Sequence, residues 1–420
     1  MADNKDKKVL NVPALRFPEF TEEWKRIKVS DLLDFYSTNS LSWEQLEYES
    51  NEPYNLHYGL IHVGLPTIID LTKDKLPSIK DGNVPKKYEL CKEGDIAFAD
   101  ASEDTNEVAK VVEFYNLDGK KVVCGLHTIH GRNNNGQTAK GFLGYCFSST
   151  VFHNQIRRIA QGTKIYSINT RNFSEVFVGL PSMNEQQKIA TLLRLMDERI
   201  ATQNKIIEKY ESLIQAMCDT LIERETQQVT LSFGDFGQSY SGLSGKSAED
   251  FGDGYPFITY MNVYQNQIID STDVGLVKIK ETEQQSVVRY GDILLTLSSE
   301  TPEEVGMGAV YLGETYPLYL NSFCFGIHIT DEAKIYPPFL AYYVSSQSFR
   351  KAVYPLAQGS TRFNLQKSDF MKKKFSFPVI EKQRIIYSFL KNYSDKLIVE
   401  KQIMRLLCNQ KCYLLRQLFI

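Results

Sequence analysis

The fold is decided by the stretch PSMNEQQKIATLLRLMDERIATQNKIIEKYESLIQAMCDTLIER, residues 181–224. Helix-forming residues follow the proline and predict a long helix that begins near residues 184–185. Its apolar residues recur in alternating steps of three and four, which is the heptad spacing of a coiled-coil seam. The predicted seam consists of Leu193, Met196, Ile200, Gln203, Ile207, Tyr210, Ile214, Met217 and Leu221. A helix of about 35 residues spans roughly 50 Å.

The same seam recurs at the C-terminus when the chain is shifted by 197 residues, the offset between Gln203 and Glu400. The second seam reads Leu390, Tyr393, Leu397, Glu400, Met404, Leu407, Lys411, Leu414 and Leu418. Neither helix can bury its apolar stripe alone, so we predict that the two form an antiparallel coiled coil. The alternative is two amphipathic helices, each packed on its own domain.

The rest of each half repeats at the same offset. The aligned blocks include Gly94-Asp95-Ile96 with Gly291-Asp292-Ile293, Ala160-Gln161-Gly162-Thr163 with Ala357-Gln358-Gly359-Ser360, Pro181 with Pro378, and Gln186 with Gln383. Each half begins with a strand-rich segment (120–130 and 291–299 are examples), followed by a helical stretch (151–160 and 338–356), a Gln-Gly loop, a proline and the long helix. We predict an α+β fold of two similar α/β domains, called heads here, separated by the two long helices of the antiparallel coiled coil. The predicted boundaries are a flexible arm at 1–12, a first head at 13–183, a helix at 184–226, a second head at 227–380 and a helix at 381–420.

Composition is that of a protein with ordinary cores: 42% of the 420 residues are hydrophobic and 24% are charged. No apolar run is long enough to span a membrane, and the N-terminus lacks the apolar segment of a signal peptide, so a cytoplasmic protein is expected. The seven cysteines are odd in number and form no Cys-x-x-Cys pair. We therefore expect reduced thiols and no metal site.

The net charge of −3 argues mildly against binding to DNA, but the charge is unevenly distributed. Residues 119–174 and 333–368 contain no acidic residue and fall at similar places in the two halves. Their cations include Lys120, Lys121, Arg132, Arg157, Arg158 and Lys164 in the first half and Arg350, Lys351 and Arg362 in the second. Two such stretches favour two nucleic-acid faces. Ordinary solvated faces are the alternative.

The Gln-Gly loops carry side chains suited to DNA, since Gln can bind adenine and Ser, Thr, Lys and Arg can bind phosphate or guanine. The predicted contacts are Gln161, Gly162, Thr163, Lys164 and nearby Tyr166, and Gln358, Gly359, Ser360, Thr361 and Arg362. A glycine that merely ends a helix is the alternative. Further candidate base readers, each of which could instead be a packing residue, are Ser102, Glu103, His127, His130 and Arg132, and Ser298, Ser299, Glu300 and Asn321.

Catalytic motifs are incomplete in this sequence. Tyr336-Pro337-Pro338-Phe339 resembles an amino-methyltransferase loop, but its tyrosine replaces the small polar residue that would accept from the target amine. Gly245-Lys246-Ser247 ends like a phosphate-binding loop, but Tyr240 stands where the first glycine is required. No catalytic residue is assigned, and we expect a non-catalytic chain.

The order and duplication of these motifs resemble the specificity (S) subunit of type I restriction-modification systems. The resemblance rests on Leu15-Arg16-Phe17-Pro18 with Trp24, the two Gly-Asp-Ile strands, the two Gln-Gly-(Thr/Ser) loops, and Pro-x3-(Glu/Lys)-Gln before each helix. It implies that each head is a target-recognition domain that reads one half of a split DNA sequence, and that the paired helices fix the gap between the two half-sites. It also implies two methyltransferase (M) subunits that use S-adenosylmethionine and restriction (R) subunits that use ATP and Mg²⁺. A non-catalytic coiled-coil scaffold that does not read DNA is the alternative.

The spacer role leads to a first prediction. Removing the heptad Ile200–Ile206 is expected to shorten the gap between the two half-sites or to abolish assembly, because seven helical residues span about 10 Å. Sequencing of methylated DNA measures the gap. An unchanged gap in an assembled complex would show that the helices do not set it.

Overall fold

The computed structural model describes residues 11–48 and 52–420. All but the last two residues of the predicted flexible arm, 1–12, lie outside this range. The chain divides into two compact units, Met1–Asn204 with Gln402–Ile420 and Lys205–Lys401. Both unit boundaries cut through a long helix, so each unit is one head together with segments of both helices. The boundaries predicted for the heads stay a prediction.

The first unit surrounds a five-stranded sheet of order β2-β11-β7-β9-β5 and a four-stranded sheet of order β10-β4-β6-β3, with the pairs β1-β13 and β12-β8 beside them. Its strands are β1 (Lys25–Lys28), β2 (Asp34–Tyr36), β3 (Leu46–Glu47), β4 (Tyr54–Leu56), β5 (Ile68–Asp70), β6 (Ser78–Ile79), β7 (Ile96–Ala99), β8 (Ala101–Ser102), β9 (Val111–Asn116), β10 (Val122–Cys124), β11 (Thr128–Arg132), β12 (Tyr166–Ser167) and β13 (Phe177–Leu180). Its helices are α1 (Val29–Leu32), α2 (Tyr58–His62), α3 (Phe142–Phe147), α4 (Thr150–Ile159), α5 (Thr170–Ser174) and the first part of α6 (Met183–Glu223).

The second unit is built around the four-stranded sheet β15-β22-β18-β20, with the sheets β17-β16-β21, β19-β24-β23 and β14-β25. Its strands are β14 (Gln228–Ser232), β15 (Gly237–Ser241), β16 (Phe251–Ile258), β17 (Val274–Val277), β18 (Ile293–Thr296), β19 (Ser298–Ser299), β20 (Gly308–Val310), β21 (Tyr319–Leu320), β22 (Cys324–Ile329), β23 (Ala357–Gln358), β24 (Phe363–Leu365) and β25 (Lys374–Pro378). Its helices are α7 (Tyr260–Gln265), α8 (Pro337–Tyr343), α9 (Gln347–Val353), α10 (Lys367–Lys372) and the first part of α11 (Ile380–Gln417).

The repeat seen in the sequence is a structural repeat. Strands β7 and β18, strands β8 and β19, and the starts of α6 and α11 lie at the same offset of 197 residues. The predicted α+β fold with two similar heads and long paired helices is therefore confirmed. One detail is wrong: the helical stretch predicted at 338–356 is two short helices, α8 and α9, followed by a 3-10 turn at Tyr354–Leu356. Ser346 begins α9 by accepting a hydrogen bond from the backbone N–H of Phe349.

The seams of the two long helices face inward, since every predicted seam position is buried or half-buried. The helices run antiparallel in the second unit, where Lys401 Nζ lies 2.7 Å from Glu211 Oε1 and Lys382 Nζ lies 3.5 Å from Glu225 Oε2, just past the end of α6. In the first unit the two helices are joined by Lys411 Nζ, 2.5 Å from Asp197 Oδ1. In the part of the chain that the structure describes, no helix is both long and apolar enough to cross a membrane.

The glutamine near the start of each long helix fastens that helix to its head. Gln186 accepts from Ala139 N–H (2.8 Å) and donates to the carbonyl of Pro181 (3.0 Å). Gln383 accepts from Tyr336 N–H and donates to the carbonyl of Pro378, each at 2.8 Å. Both glutamines are buried, and buried amides need such partners. The Pro-x4-Gln spacing is thus a structural motif.

The N-terminal motif also has a structural role. Arg16 forms a two-pronged ion pair with buried Glu185 at 2.7 and 2.8 Å. Leu15 N–H donates to the carbonyl of Gln417 (3.0 Å), so the N-terminal segment joins both long helices within the first unit.

Glu113 gives the first unit a predicted pH dependence. It is buried, accepts hydrogen bonds from the N–H groups of Gly141 and Gly144, and burial raises its pKa to about 7. A carboxyl with a raised folded-state pKa stabilises most below its unfolded pKa and loses that stability as pH rises. We expect the free energy of unfolding of the first unit to fall by up to about 3 kcal/mol between pH 4.5 and 7.

Hydrogen exchange at several pH values measures this loss unit by unit. The Glu113→Gln variant, which cannot ionise, should show a flatter pH profile in the first unit. The second unit has Val310 at the equivalent position and serves as an internal control. An unchanged profile in the variant would contradict the assignment to Glu113.

Candidate nucleic-acid interface

The two Gln-Gly loops close in the same way. Gln161 and Ser167 exchange backbone hydrogen bonds of 2.9 and 2.8 Å. In the second unit the equivalent residues, Gln358 in β23 and Asn364 in β24, are paired in the same way. Each loop therefore projects five residues, 162–166 and 359–363, from a closed base. In each loop the glycine and the three side chains after it are exposed, and the fifth residue is half-buried.

The glycines of these loops are required by their backbone. Gly162 and Gly359 share a φ of +136°. A Cβ at Gly162 would lie 1.9 Å from the carbonyl oxygen of Ile165, and one at Gly359 would lie 2.1 Å from that of Arg362. Helix α4 already ends at Ile159, so these glycines form a tight loop and do not cap a helix.

One cavity in each unit borders its Gln-Gly loop. The first cleft, of about 660 Å³, is lined by Tyr58, His62, Val63, Ala101, Ser102, Glu103, Asp104, Glu107, Lys110, His127 and Ile165. The second cleft, of about 310 Å³, is lined by Tyr260, Met261, Tyr264, Ser298, Ser299, Glu300, Glu304, Phe323 and Arg362.

The two clefts occupy the same place in the repeat. Each is formed by a short helix (α2 or α7), the short strand after the Gly-Asp-Ile strand (β8 or β19), and the Gln-Gly loop. At four pairs of equivalent positions the two clefts carry the same residue type: Tyr58 and Tyr260, Ser102 and Ser299, Glu103 and Glu300, and Glu107 and Glu304. At four other pairs the residue types differ: His62 and Tyr264, Ala101 and Ser298, His127 and Phe323, and Ile165 and Arg362. The clefts therefore share one frame but carry different side chains.

Hydrogen bonds and ring contacts shape the first cleft. His62 Nε2 lies 3.0 Å from the carbonyl oxygen of Ala101. The His127 ring lies edge-on to Tyr58, with centroids 5.3 Å apart, and its Nδ1 is 3.1 Å from Asp100 Oδ1. Ile165, 61% exposed, adds an apolar wall. Histidine, tyrosine and aliphatic groups can contact base edges and thymine methyl groups.

Contacts in the second cleft centre on Glu304. Its carboxylate accepts from Tyr264 OH (2.7 Å) and Ser299 Oγ (2.9 Å), and these hydrogen bonds lower the pKa of Glu304. Tyr260 stacks on Tyr264 with centroids 6.0 Å apart. Arg362 lies over the Phe323 ring, 5.8 Å from its centroid. The cleft thus offers a guanidinium for guanine and carboxylates that can accept from cytosine N4.

The clefts bring together only part of the predicted DNA-binding set. Three predicted residues line the clefts: His127, Ser299 and Arg362. The other exposed residues of the Gln-Gly loops lie beside the clefts, and these are Gln161, Thr163, Lys164, Gln358, Ser360 and Thr361. Tyr166 pairs with Ser102 at the edge of the first cleft.

Two predicted arginines need correction. Arg132 is buried and donates to Asp95 (2.7 and 2.8 Å), to Glu89 (2.7 Å) and to the carbonyl of Leu90 (2.8 Å). These partners raise its pKa further and leave its guanidinium occupied within the core. Arg350 donates to the backbone carbonyls of residues 303, 305 and 306. Both arginines hold their own heads together and are not free for DNA.

Other predicted residues lie outside the clefts. Lys120 donates to the carbonyl of Leu71, and Lys121 lies 3.9 Å from Glu52. Arg157 donates to Asn106. The remaining predicted residues in this group are the exposed Arg158 and Lys351 and the half-buried Asn321. A role for these side chains in phosphate contacts stays a prediction.

Sequence reasoning missed the aromatic residues of the clefts. Tyr58, Tyr260, Tyr264 and Phe323 come from segments with no basic run and no shared motif. The one available signal was the pairing of Tyr58 with Tyr260, but these residues are 202 positions apart and the constant offset of 197 hides it.

Comparison with known proteins agrees with this architecture. A family model described as the type I restriction modification DNA specificity domain matches residues 74–212 and again 229–407. The S subunit of a type I restriction-modification system from M. genitalium is 18% identical, with a TM-score of 0.53 over 97% of this chain and 99% of that chain. A structure concerned with complex assembly and conformational transition of the type I R-M system is 16% identical, with a TM-score of 0.58 over 93% and 96%.

No curated protein matched the sequence. The two structural likenesses support the fold, and the family model covers most of the chain in two copies, one in each half. The chain belongs to the type I restriction-modification DNA specificity family.

Proposed function

We propose that each head reads one half of a split DNA sequence through its cleft and Gln-Gly loop. The observation that carries this proposal is the pair of equivalent clefts with different side chains. Because both clefts are built from equivalent helices, strands and loops, both heads would approach DNA in the same way. Different side chains at His127 and Phe323, and at Ile165 and Arg362, suit two different half-sites.

We further propose that the chain supplies recognition while partners supply chemistry. Two M subunits would use S-adenosylmethionine to methylate adenine, and R subunits would add ATP- and Mg²⁺-dependent cleavage, in the cytoplasm. Membership of a DNA specificity family supports this division of labour.

Methylome sequencing tests the recognition role directly. The chain is co-expressed with its neighbouring methyltransferase in cells that lack both. We expect a split motif with N6-methyladenine in each half, absent when this chain is omitted. Methylation at an unsplit motif, or at the same motif without this chain, would contradict the proposal.

Arg362 is the cleft residue best placed to recognise a base. We expect Arg362→Ala to weaken DNA binding by about 1–3 kcal/mol and to relax preference in one half-site only. Binding of the assembled complex to DNA pools with either half randomised measures both effects. Arg224→Ala, which alters an exposed arginine of the second unit outside the cleft and outside the predicted DNA-binding set, is the control. Unaltered affinity and preference in Arg362→Ala would rule out base contact by this side chain.

A further inference from the structure

Three metal-ligating side chains meet in the core of the first unit. Cys91, Cys124 and His130 are buried, and their ligand atoms all lie within 4.8 Å of one another. The two sulfur atoms are 3.5 Å apart. Two sulfurs bound to one tetrahedral zinc ion, each at ~2.3 Å, would be about 3.8 Å apart. The cluster is therefore close to the size of a zinc site.

His130 has a free ring nitrogen of the kind a metal needs. Its Nε2 lies 2.7 Å from Asp95 Oδ2, whereas its Nδ1 is buried and has no hydrogen-bond partner among the described residues. Buried polar atoms without partners are rare in folded proteins. A metal-bound histidine usually donates its other ring N–H to a carboxylate, which orients the ring. The contact with Asp95 has that form.

The charges around the cluster also suit a divalent cation. Both cysteine side chains are buried in the core, where a pair of thiolates is stable only beside a cation. Two thiolates would neutralise Zn²⁺, so an occupied site adds no net charge to the core.

The second head shows that the fold does not need this cluster. The equivalent positions, matched through the strand pairing and backbone hydrogen bonds, are Val288, Leu320 and Gly326. Val288 and Leu320 are buried there and fill the same part of the core with apolar groups. A cysteine pair with a histidine is thus a local property of the first head.

We propose that Cys91, Cys124 and His130 bind one Zn²⁺ ion through two thiolates and His130 Nδ1. Cys124 ends strand β10 and His130 lies in β11, and the turn between these strands carries His127 into the first cleft. A bound ion would tie both sides of this turn together. The site would therefore hold a candidate DNA-contacting residue in place without touching DNA.

Metal titration of the purified, reduced full-length chain tests the site, with Co²⁺ as a spectroscopic probe and Zn²⁺ as competitor. We expect one equivalent of Co²⁺ with a thiolate charge-transfer band, displaced by Zn²⁺. The variant Cys91→Val/Cys124→Leu takes its residues from the second head and should lose this binding. The control Cys408→Ser/Cys412→Ser, which alters the two exposed cysteines one helical turn apart, should keep it.

Absence of stoichiometric binding by the unaltered chain, or unchanged binding by Cys91→Val/Cys124→Leu, would overturn the proposal. A second measurement does not depend on folding of that variant. Zinc X-ray absorption of the Cys408→Ser/Cys412→Ser chain should show two sulfur neighbours, and a site without sulfur would equally refute the assignment. Neither readout depends on DNA binding, so the proposed recognition role is tested separately.

Discussion

Replacing Asp95 with alanine is expected to destabilise the first unit by about 3–5 kcal/mol, because it removes the main partner of a buried arginine. Asp95 is 1% exposed and accepts from both Arg132 and His130. It also accepts from the N–H of Lys92 in the turn before β7. Hydrogen bonds from His130 and Arg132 outweigh the effect of burial and lower the pKa of Asp95, so the carboxylate is charged in the folded state.

The repeat supplies a matched control for this prediction. Asp292 occupies the equivalent position, but it accepts from Tyr240 OH (2.8 Å) and lies 2.9 Å from Nδ1 of His328, the residue that stands where the first head has Arg132. We expect Asp292→Ala to destabilise the second unit less, by about 1–3 kcal/mol. Hydrogen exchange in β7 and β11 against β18 and β22 separates the two units. Equal losses would contradict the dominant role of Arg132.

Substitution of either loop glycine is expected to impair recognition of one half-site by about 10–100-fold. Gly162→Ala and Gly359→Ala each place a Cβ within about 2 Å of a backbone carbonyl oxygen, at a φ that other residues rarely adopt. The loop must then change shape, at a cost of order 1–3 kcal/mol. The exposed side chains beside the cleft would move with it.

Each glycine variant is the control for the other. On our proposal, Gly162→Ala alters the DNA preference of one half-site and Gly359→Ala that of the other. Binding to DNA pools randomised in one half at a time measures this separation, and hydrogen exchange shows whether each head remains folded. Loss of preference in both halves from a single variant would contradict one loop serving one half-site.

Local patterns were enough to predict the two-headed organisation. A heptad seam depends on spacing along one helix, and a repeat at constant offset is visible without any tertiary contact. The demand for glycine in the Gln-Gly loops is equally local, since it arises from φ at Gly162 and from a carbonyl three residues later. These features were therefore readable from the chain itself.

Tertiary structure alone decided which charges are free. Residues 119–174 contain no acid, yet Arg132 is paired with Asp95 and Glu89, about 40 positions earlier, and Lys140 lies 2.7 Å from Glu93. An acid-free stretch of sequence is not an acid-free surface, because neighbouring strands bring carboxylates from elsewhere. The clefts and the Cys–Cys–His cluster arise in the same way, from side chains on separate strands and loops that only folding brings together.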